Sequence, residues 1–278
     1  MPEGAHDRAS RILGGPGGGR SLAIASLSTA VVLAGLALLV VNSPGWPEVR
    51  ESFFYGPEFR ESFPDIVEQF GTNVQLFLLA EVFILVWALV LAVLRSLPGP
   101  VFFPLRLLSA AYTDVFRGIP TILLVFLLGF GVPGLQLAGV PESQFFWATV
   151  SLVLVYSAYV SEVYRAGIES VHPSQEAAAR SLGLNRFQAL RHVVLPQAIR
   201  RVVPPLLNDF IGLQKDTALV ALLGVVEAFR QAQIEVAGSF NYTPYVATAV
   251  IFLALTIPMT RLTDWLIARN RRRELARA

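Results

Sequence analysis

The stretch VHPSQEAAARSLGLNRFQALRHVVLPQAIRR, residues 171–201, decides how the rest of the chain is read. Pro173 suits the first position of a helix, where its missing N–H costs nothing. Gln175 to Leu182 are mostly good helix formers, and Gly183 suits the left-handed position that ends a helix. Asn185 suits the N-cap of a second helix, which Pro196 is expected to break or kink. Ala177, Ala178 and Ala179 give the first helix a slim profile that a partner surface can approach closely. Glu176 and Arg180, four apart, are expected to pair on one face.

This polar segment lies between long apolar runs. They fall at 21–41, 73–94, 107–131, 144–166, 203–224 and 244–268, each near the ~20 residues a helix needs to cross the hydrocarbon core. Lipid offers no partners to open backbone groups, so the runs are expected to be helices. The chain is 54% hydrophobic and only 15% charged, against about 25% charged in a soluble domain. The deficit is concentrated in the runs, as in a polytopic membrane protein. The absence of cysteine excludes disulfides, thiolate metal sites and cysteine catalysis. His6, His172 and His192 are too scattered for a metal site. Lys215 is the only lysine among 22 basic residues, a bias that reads as GC-rich coding.

Basic residues set an orientation. Arg8, Arg11 and Arg20 precede the first run, Arg95 and Arg106 follow the second, and Arg180, Arg186, Arg191, Arg200 and Arg201 follow the fourth. Arg269, Arg271, Arg272, Arg273 and Arg277 follow the sixth. These segments alternate correctly for the cytoplasmic side. Residues 44–72 are acidic, and residues 132–143 carry no Arg or Lys. The expectation is an all-α membrane protein of about six transmembrane helices with both termini cytoplasmic. The run 21–41 is expected to be retained as a helix, being too long for a signal-peptide core and followed by further spans.

The segment 171–201 resembles the coupling loop of ATP-binding-cassette (ABC) import permeases. That family's pattern is Glu-Ala-Ala, three residues, Gly, and an apolar stretch ending near Leu-Pro. The chain is expected to meet it with Glu176-Ala177-Ala178, Gly183, Phe187 and Leu195-Pro196. Ser174 stands where many members have Gly before Gln175. Two flanking elements resemble the polar amino-acid branch: Ala158-Tyr159, Glu162, Arg165 and Gly167, and the Phe-Arg-Gly-x-Pro element in DVFRGIPTILLVF (114–126). LPQAIRRVVPPLLNDFIGLQKDTAL (195–219) fits that branch as well. The resemblance covers about residues 70–268, and the extra first span departs from the usual five.

The resemblance implies that Gln175, Glu176, Ala177, Ala178, Arg180 and Gly183 contact an ATPase subunit. The implied partners are an ATP-binding subunit dimer, a second permease chain (a copy or a homologue), an extracytoplasmic solute-binding protein and the lipid bilayer; no nucleic acid is implied. No cofactor is expected on this chain, with ATP and Mg on the partner ATPase. The implied location is the bacterial plasma membrane. The implied organisation is a disordered cytoplasmic tail (1–20), the extra span with an acidic extracytoplasmic segment (21–72), a permease domain (73–268) with its coupling loop at 172–196, and a basic cytoplasmic tail (269–278).

Charges inside spans are costly and face cavities or partners. Arg117, Glu162, Asn208, Asp209, Lys215 and Asp216 are the candidates for a substrate path. For an amino-acid cargo, Glu162 suits the ammonium, and Lys215 or Arg117 the carboxylate. Mutual pairing of these charges as structural glue is the competing expectation. Gly212 is expected to let a neighbouring helix pack closely. The chain has no G-x-x-x-x-G-K-[ST] phosphate loop, so it is not expected to hydrolyse ATP itself. An ion-coupled secondary transporter, with Glu162, Asp209 and Asp216 relaying protons, is the alternative function. No acid–base pair, metal spacing or nucleophile elbow points to an enzyme.

Overall fold

The computed structural model describes residues 18–275, and the described residues are helical with no strand. Residues 1–17 of the expected tail, and the side chains of the basic tail beyond Arg269, lie outside the described residues. The chain divides into two compact units, one ending at Tyr55 and one beginning at Gly56. In the first, α1 (Gly18–Val41) carries no acid or Lys, and its only basic residue is Arg20 in the first turn, as a bilayer-crossing helix requires. A turn leads to the short α2 (Trp46–Phe53), entered through Pro47.

The second unit opens with α3 (Gly56–Ser96), 41 residues long. It fuses the acidic segment 56–72 to the second expected span without a break. Pro64 is tolerated inside it. α4 (Phe103–Gly118) and α5 (Thr121–Gly134) form the third expected span, but they meet at 101°. Pro120 denies Ile119 the helical conformation, and Ile119 is extended at φ −88°, ψ 130°. α5 widens into a π-turn at Leu127–Gly131. α6 (Gln144–Glu169) starts at Ser143, whose hydroxyl accepts from the Phe146 N–H at 3.3 Å.

α7 (Pro173–Ser181) and α8 (Arg186–Ala189) make the polar segment between the fourth and fifth apolar runs, followed by α9 (Leu195–Asp216). A 3-10 stretch, Thr217–Leu223, then tightens the chain into Gly224, whose φ of +85° requires glycine. α10 (Ala228–Ser239) was not anticipated from the sequence, and α11 (Thr243–Leu275) closes the chain. Four helices among the described residues are long and apolar enough to span a membrane, and the bent α4–α5 pair makes a fifth. The run expected at 203–224 does not qualify as one apolar helix. Asn208, Asp209, Lys215 and Asp216 dilute it, and the α-helix stops at Asp216.

The core joins α3 and α6. Leu76, Ala80, Ile84 and Ala88 recur every four residues on α3 and are buried against Ala148, Leu152 and Val155 of α6. Lipid is as apolar as leucine, so close packing rather than exclusion of water holds such helices, and small residues allow the approach. The opposite face of α3 exposes Leu78, Val82, Phe83 and Val86, as a lipid-facing surface should. A second cluster, Ile66 with Ala228, Ala232 and Ala247, anchors the start of α3 to α10 and α11.

Candidate functional site

The polar segment that carries α7 and α8 is fixed by local hydrogen bonds. His172 caps α7: its Nδ1 accepts from the Ser174 N–H at 3.2 Å and lies 2.7 Å from the Ser174 hydroxyl. Serine at this position therefore ties the entry turn down. α7 ends in a Schellman motif. Gly183 sits at φ +91°, its N–H donates to the Arg180 carbonyl at 3.0 Å, and the Leu184 N–H donates to the Ala179 carbonyl at 3.3 Å. Asn185 and Gln188 then form a reciprocal capping box at 2.8 and 2.9 Å.

Three expectations are corrected. Pro196 does not break the second helix: α8 runs through a π-turn, Leu190–Val194, directly into α9, with the Leu195 N–H donating to Leu190 five residues back. The wider turn gives the proline ring its room. Glu176 does not pair with Arg180; it lies 4.0 Å from Arg186 Nε instead, since the Gly183 turn folds α8 back along α7. The register also shifts. Gly183 is anchored by its left-handed conformation, and four residues, 179–182, separate it from Ala178. A spacing of three is met by Ala178-Ala179, which puts Ala177 at the acidic position and leaves Glu176 one residue early.

The underside of the segment is buried through Val171, Val194 and Ala198, with Ala179 and Ala189 beside them. Gln175, Ala177, Ala178, Arg180 and Gly183 are exposed, and Glu176 is half-buried. Between them Leu182 and Phe187 stand out at 85% and 67% exposure. Large apolar groups on a polar, rigidly capped loop are a docking surface in form.

The structure separates the six intramembrane candidates. Glu162 on α6 is taken by two arginines: it pairs with Arg95 of α3, and it accepts from Arg165 at 2.7 Å, which also reaches Glu169 at 2.5 Å. Glu162 is thus glue between helices, whatever else it touches. Asp216 accepts from the Tyr156 hydroxyl at 2.9 Å. That tyrosine is the neighbour packed over Gly212, where an added Cβ would sit 3.2 Å from its hydroxyl. Asn208 and Lys215 are exposed on α9, seven residues apart, and do not line the cavity described next.

Arg117, Glu162 and Asp209 come together. They line a cavity of about 390 Å³ where α4, α6 and α9 meet, with Tyr159, Gly167 and Arg201. The Arg117 guanidinium lies over the Tyr159 ring, 5.5 Å from its centre. Gly167 lets α9 approach, since a Cβ there would overlap the Val202 side chain. One carboxylate oxygen of Asp209 is buried with no hydrogen-bond partner among the described residues. Buried polar atoms of this kind call for a ligand, an ion or a water.

Sequence reasoning missed two further features. Glu81, a lone acid in the apolar run of α3, lies within electrostatic reach of Asp209; its isolation was the available signal. Asn73, Thr217 and Glu227 form a buried knot outside the cavity. The Asn73 amide donates to Thr217 at 3.1 Å and to Glu227 at 2.7 Å, and its carbonyl accepts from the Ala228 N–H at 3.1 Å. Glu227 also caps α10 through the Phe229 and Arg230 N–H groups at 3.0 and 2.8 Å. Burial pushes its carboxyl above the usual range, against these hydrogen bonds.

Comparison with known proteins agrees with this architecture. Residues 99–272 match the family described as binding-protein-dependent transport system inner membrane component. The probable amino-acid permease YxeN of Bacillus subtilis is 35% identical over 73% of this chain and 90% of its own. The glutamate transport permease GluC of Corynebacterium glutamicum is 33% identical over 70% and 90%. A crystallised amino acid ABC transporter with histidines superposes at a TM-score of 0.67 and 31% identity, over 74% of this chain and 94% of that one. The chain therefore belongs to the binding-protein-dependent transport system inner membrane component family, in its amino-acid ABC permease branch.

Proposed function

We propose that this chain is the membrane-spanning subunit of an importer that moves polar amino acids across the bacterial plasma membrane by alternating access. A separate ATPase dimer, which holds ATP and Mg, drives it from α7 and α8. The observation that carries this reading is the cytoplasmic segment itself. It is capped at each helix end, rooted in the helix that becomes α9, and it displays Leu182 and Phe187 to solvent. A surface so rigid transmits displacement to α9 without dissipating it in a loop.

The outer face of α9 supports a second permease chain. Asn208 and Lys215, seven residues apart, are exposed on it, and Lys215 forms no ion pair among the described residues. A charge at that depth is too costly to present to lipid, so another chain or an aqueous path covers it. The reading includes six spans with cytoplasmic termini, α9 counted as a span because its polar face is covered. It also includes delivery of cargo by an extracytoplasmic solute-binding protein. A gradient-driven carrier would give the capped cytoplasmic segment no task.

Uptake into proteoliposomes tests this. The chain, reconstituted with its ATP-binding and solute-binding partners, is expected to accumulate labelled amino acid only with internal or external ATP at the ATPase face. Accumulation that follows an imposed ion gradient without ATP would refute the importer reading.

A further inference from the structure

A groove of about 480 Å³ runs along the seam between α3 and α4. Trp87, Leu91 and Leu94 line it from α3, and Leu105, Leu108 and Phe116 from α4. The two helices run antiparallel, so Leu94 and Leu105 mark the end beside the α3–α4 turn, and Trp87 and Phe116 the far end. Both hydroxyls on the wall are committed to the protein. Ser109 donates to the Leu91 carbonyl at 2.9 Å, which ties α4 to α3. Tyr112 donates to the Leu154 carbonyl of α6 at 3.0 Å and lies 2.9 Å from the Ser157 hydroxyl. The Trp87 indole stands edge-on to Tyr112, with 6.2 Å between ring centres. What the groove presents to a ligand is a hydrocarbon surface, which gives the charged ends of an amino acid nothing to bind.

The end beside the turn carries a charge with no counterion. Arg106 is half-buried, and one guanidinium nitrogen donates to the Leu97 and Gly99 carbonyls at 2.7 and 2.6 Å. The guanidinium carbon lies 5.9 Å from the centre of the Phe103 ring. The side chain is thus held in place, yet it forms no ion pair among the described residues. No acid occurs in the chain between Glu81 and Asp114, and Arg95, the other basic residue of this stretch, is engaged by Glu162. α4 begins here with no acid in its first turn and no side-chain cap, so the positive end of its dipole adds to the arginine. Around it Val101, Phe102 and Phe103 are exposed, Val101 at 83%. In a bilayer such groups are covered by lipid, and a cation among them is costly unless a headgroup reaches it.

From an apolar groove that ends at a fixed, unpaired arginine we infer that the α3–α4 seam is a binding site for an anionic phospholipid, with one acyl chain along the groove and the phosphate on Arg106. The planar guanidinium suits two-pronged phosphate contact. In the proposed orientation the turn faces the cytoplasmic leaflet, where anionic lipids supply the matching charge. The site goes beyond the importer reading and shares no residue with the cavity between α4, α6 and α9.

Trp87 is a built-in probe for the test. The full-length chain is reconstituted in phosphatidylcholine bilayers in which a small, fixed fraction of the lipid carries bromine on its acyl chains. The brominated lipid is phosphatidylglycerol in one preparation and phosphatidylcholine in the other. The share of fluorescence quenching due to Trp87 is the difference between the wild type and Trp87→Phe. Brominated phosphatidylglycerol is expected to quench Trp87 about fivefold more effectively than brominated phosphatidylcholine, the share of one arginine at a lipid surface. Arg106→Gln is expected to remove this preference, and Arg106→Lys, which keeps the charge, to retain most of it. Ala111→Phe fills the groove while leaving Arg106 in place, and is expected to cut quenching by both lipids. Equal quenching by the two lipids in the wild type would overturn the inference, as would a preference that survives Arg106→Gln. Undiminished quenching in Ala111→Phe would overturn it too, and that variant decides the matter where Arg106→Gln fails to fold. A Trp87 that neither lipid quenches would also overturn it, since that is the result expected of a groove covered by a second permease chain.

Discussion

Two short helices in this protein are held in opposite ways. α7 is capped by its neighbours in sequence: His172 at one end, the Gly183 turn and the Asn185 box at the other. α10 is capped by Glu227, and Glu227 is held by Asn73, 154 residues away. The first arrangement leaves its outer surface bare; the second is sealed in the core, with Glu227 and Thr217 wholly buried. On the proposed reading, a loop that meets a partner is organised without that partner. A loop that ties the bundle together is organised by the bundle.

Mutation can break this contrast. The largest loss is expected in the buried knot. Glu227→Ala removes the cap of α10 and strands the Asn73 amide, at a cost of about 3 kcal/mol. Asn73→Ala leaves a buried carboxylate with one donor fewer, at about 2 kcal/mol. The double substitution is expected to cost less than the sum, because each single change orphans the other group. Thermal unfolding in detergent measures all three, and additive losses would show that the two groups do not act together.

The exposed segment is expected to behave the other way round. Gly183→Asp forces a side chain into a conformation that costs roughly 1–2 kcal/mol. The Schellman turn then reorganises, and ATPase binding is expected to fall more than about tenfold while the unfolding temperature of the bundle moves little. Phe187→Ala is expected to change stability by less than about 0.5 kcal/mol and to weaken ATPase binding about tenfold, the share of a buried aromatic anchor. Glu176→Lys is expected to matter least. Its partner Arg186 is exposed and 4.0 Å away, and such pairs contribute roughly 0–1 kcal/mol. A larger effect for Glu176→Lys than for Phe187→Ala would restore the register that places Glu176 at the acidic position.

What the sequence disclosed follows the same division. Gly183 and Asn185 were legible because a cap is written within a few residues of the helix it ends. The break at Gly118–Pro120 was legible because proline restricts its predecessor, though not the 101° bend that results. Pro196 misled: the same rule that stops a helix also admits a π-turn, and only the packing of Val194 and Ala198 on Val171 selects the second outcome. α10 was missed because a glutamate N-cap is uncommon and its twelve residues mix polar and small types without an apolar run. Of the intramembrane charges, the residues were visible and the partners were not. That Arg95 reaches Glu162, that Tyr156 reaches Asp216, and that one Asp209 oxygen finds no hydrogen-bond partner among the described residues depends on how α3, α6 and α9 meet.

The central claim is that α7 and α8 are where an ATPase grips this chain. Binding of the purified ATPase subunit to the detergent-solubilised wild type, to Gly183→Asp and to Leu182→Asp/Phe187→Asp tests it most directly, with unfolding temperature as the control for fold. The account predicts saturable binding by the wild type and loss of binding by both variants at unchanged unfolding temperature. Undiminished binding by both variants would contradict it.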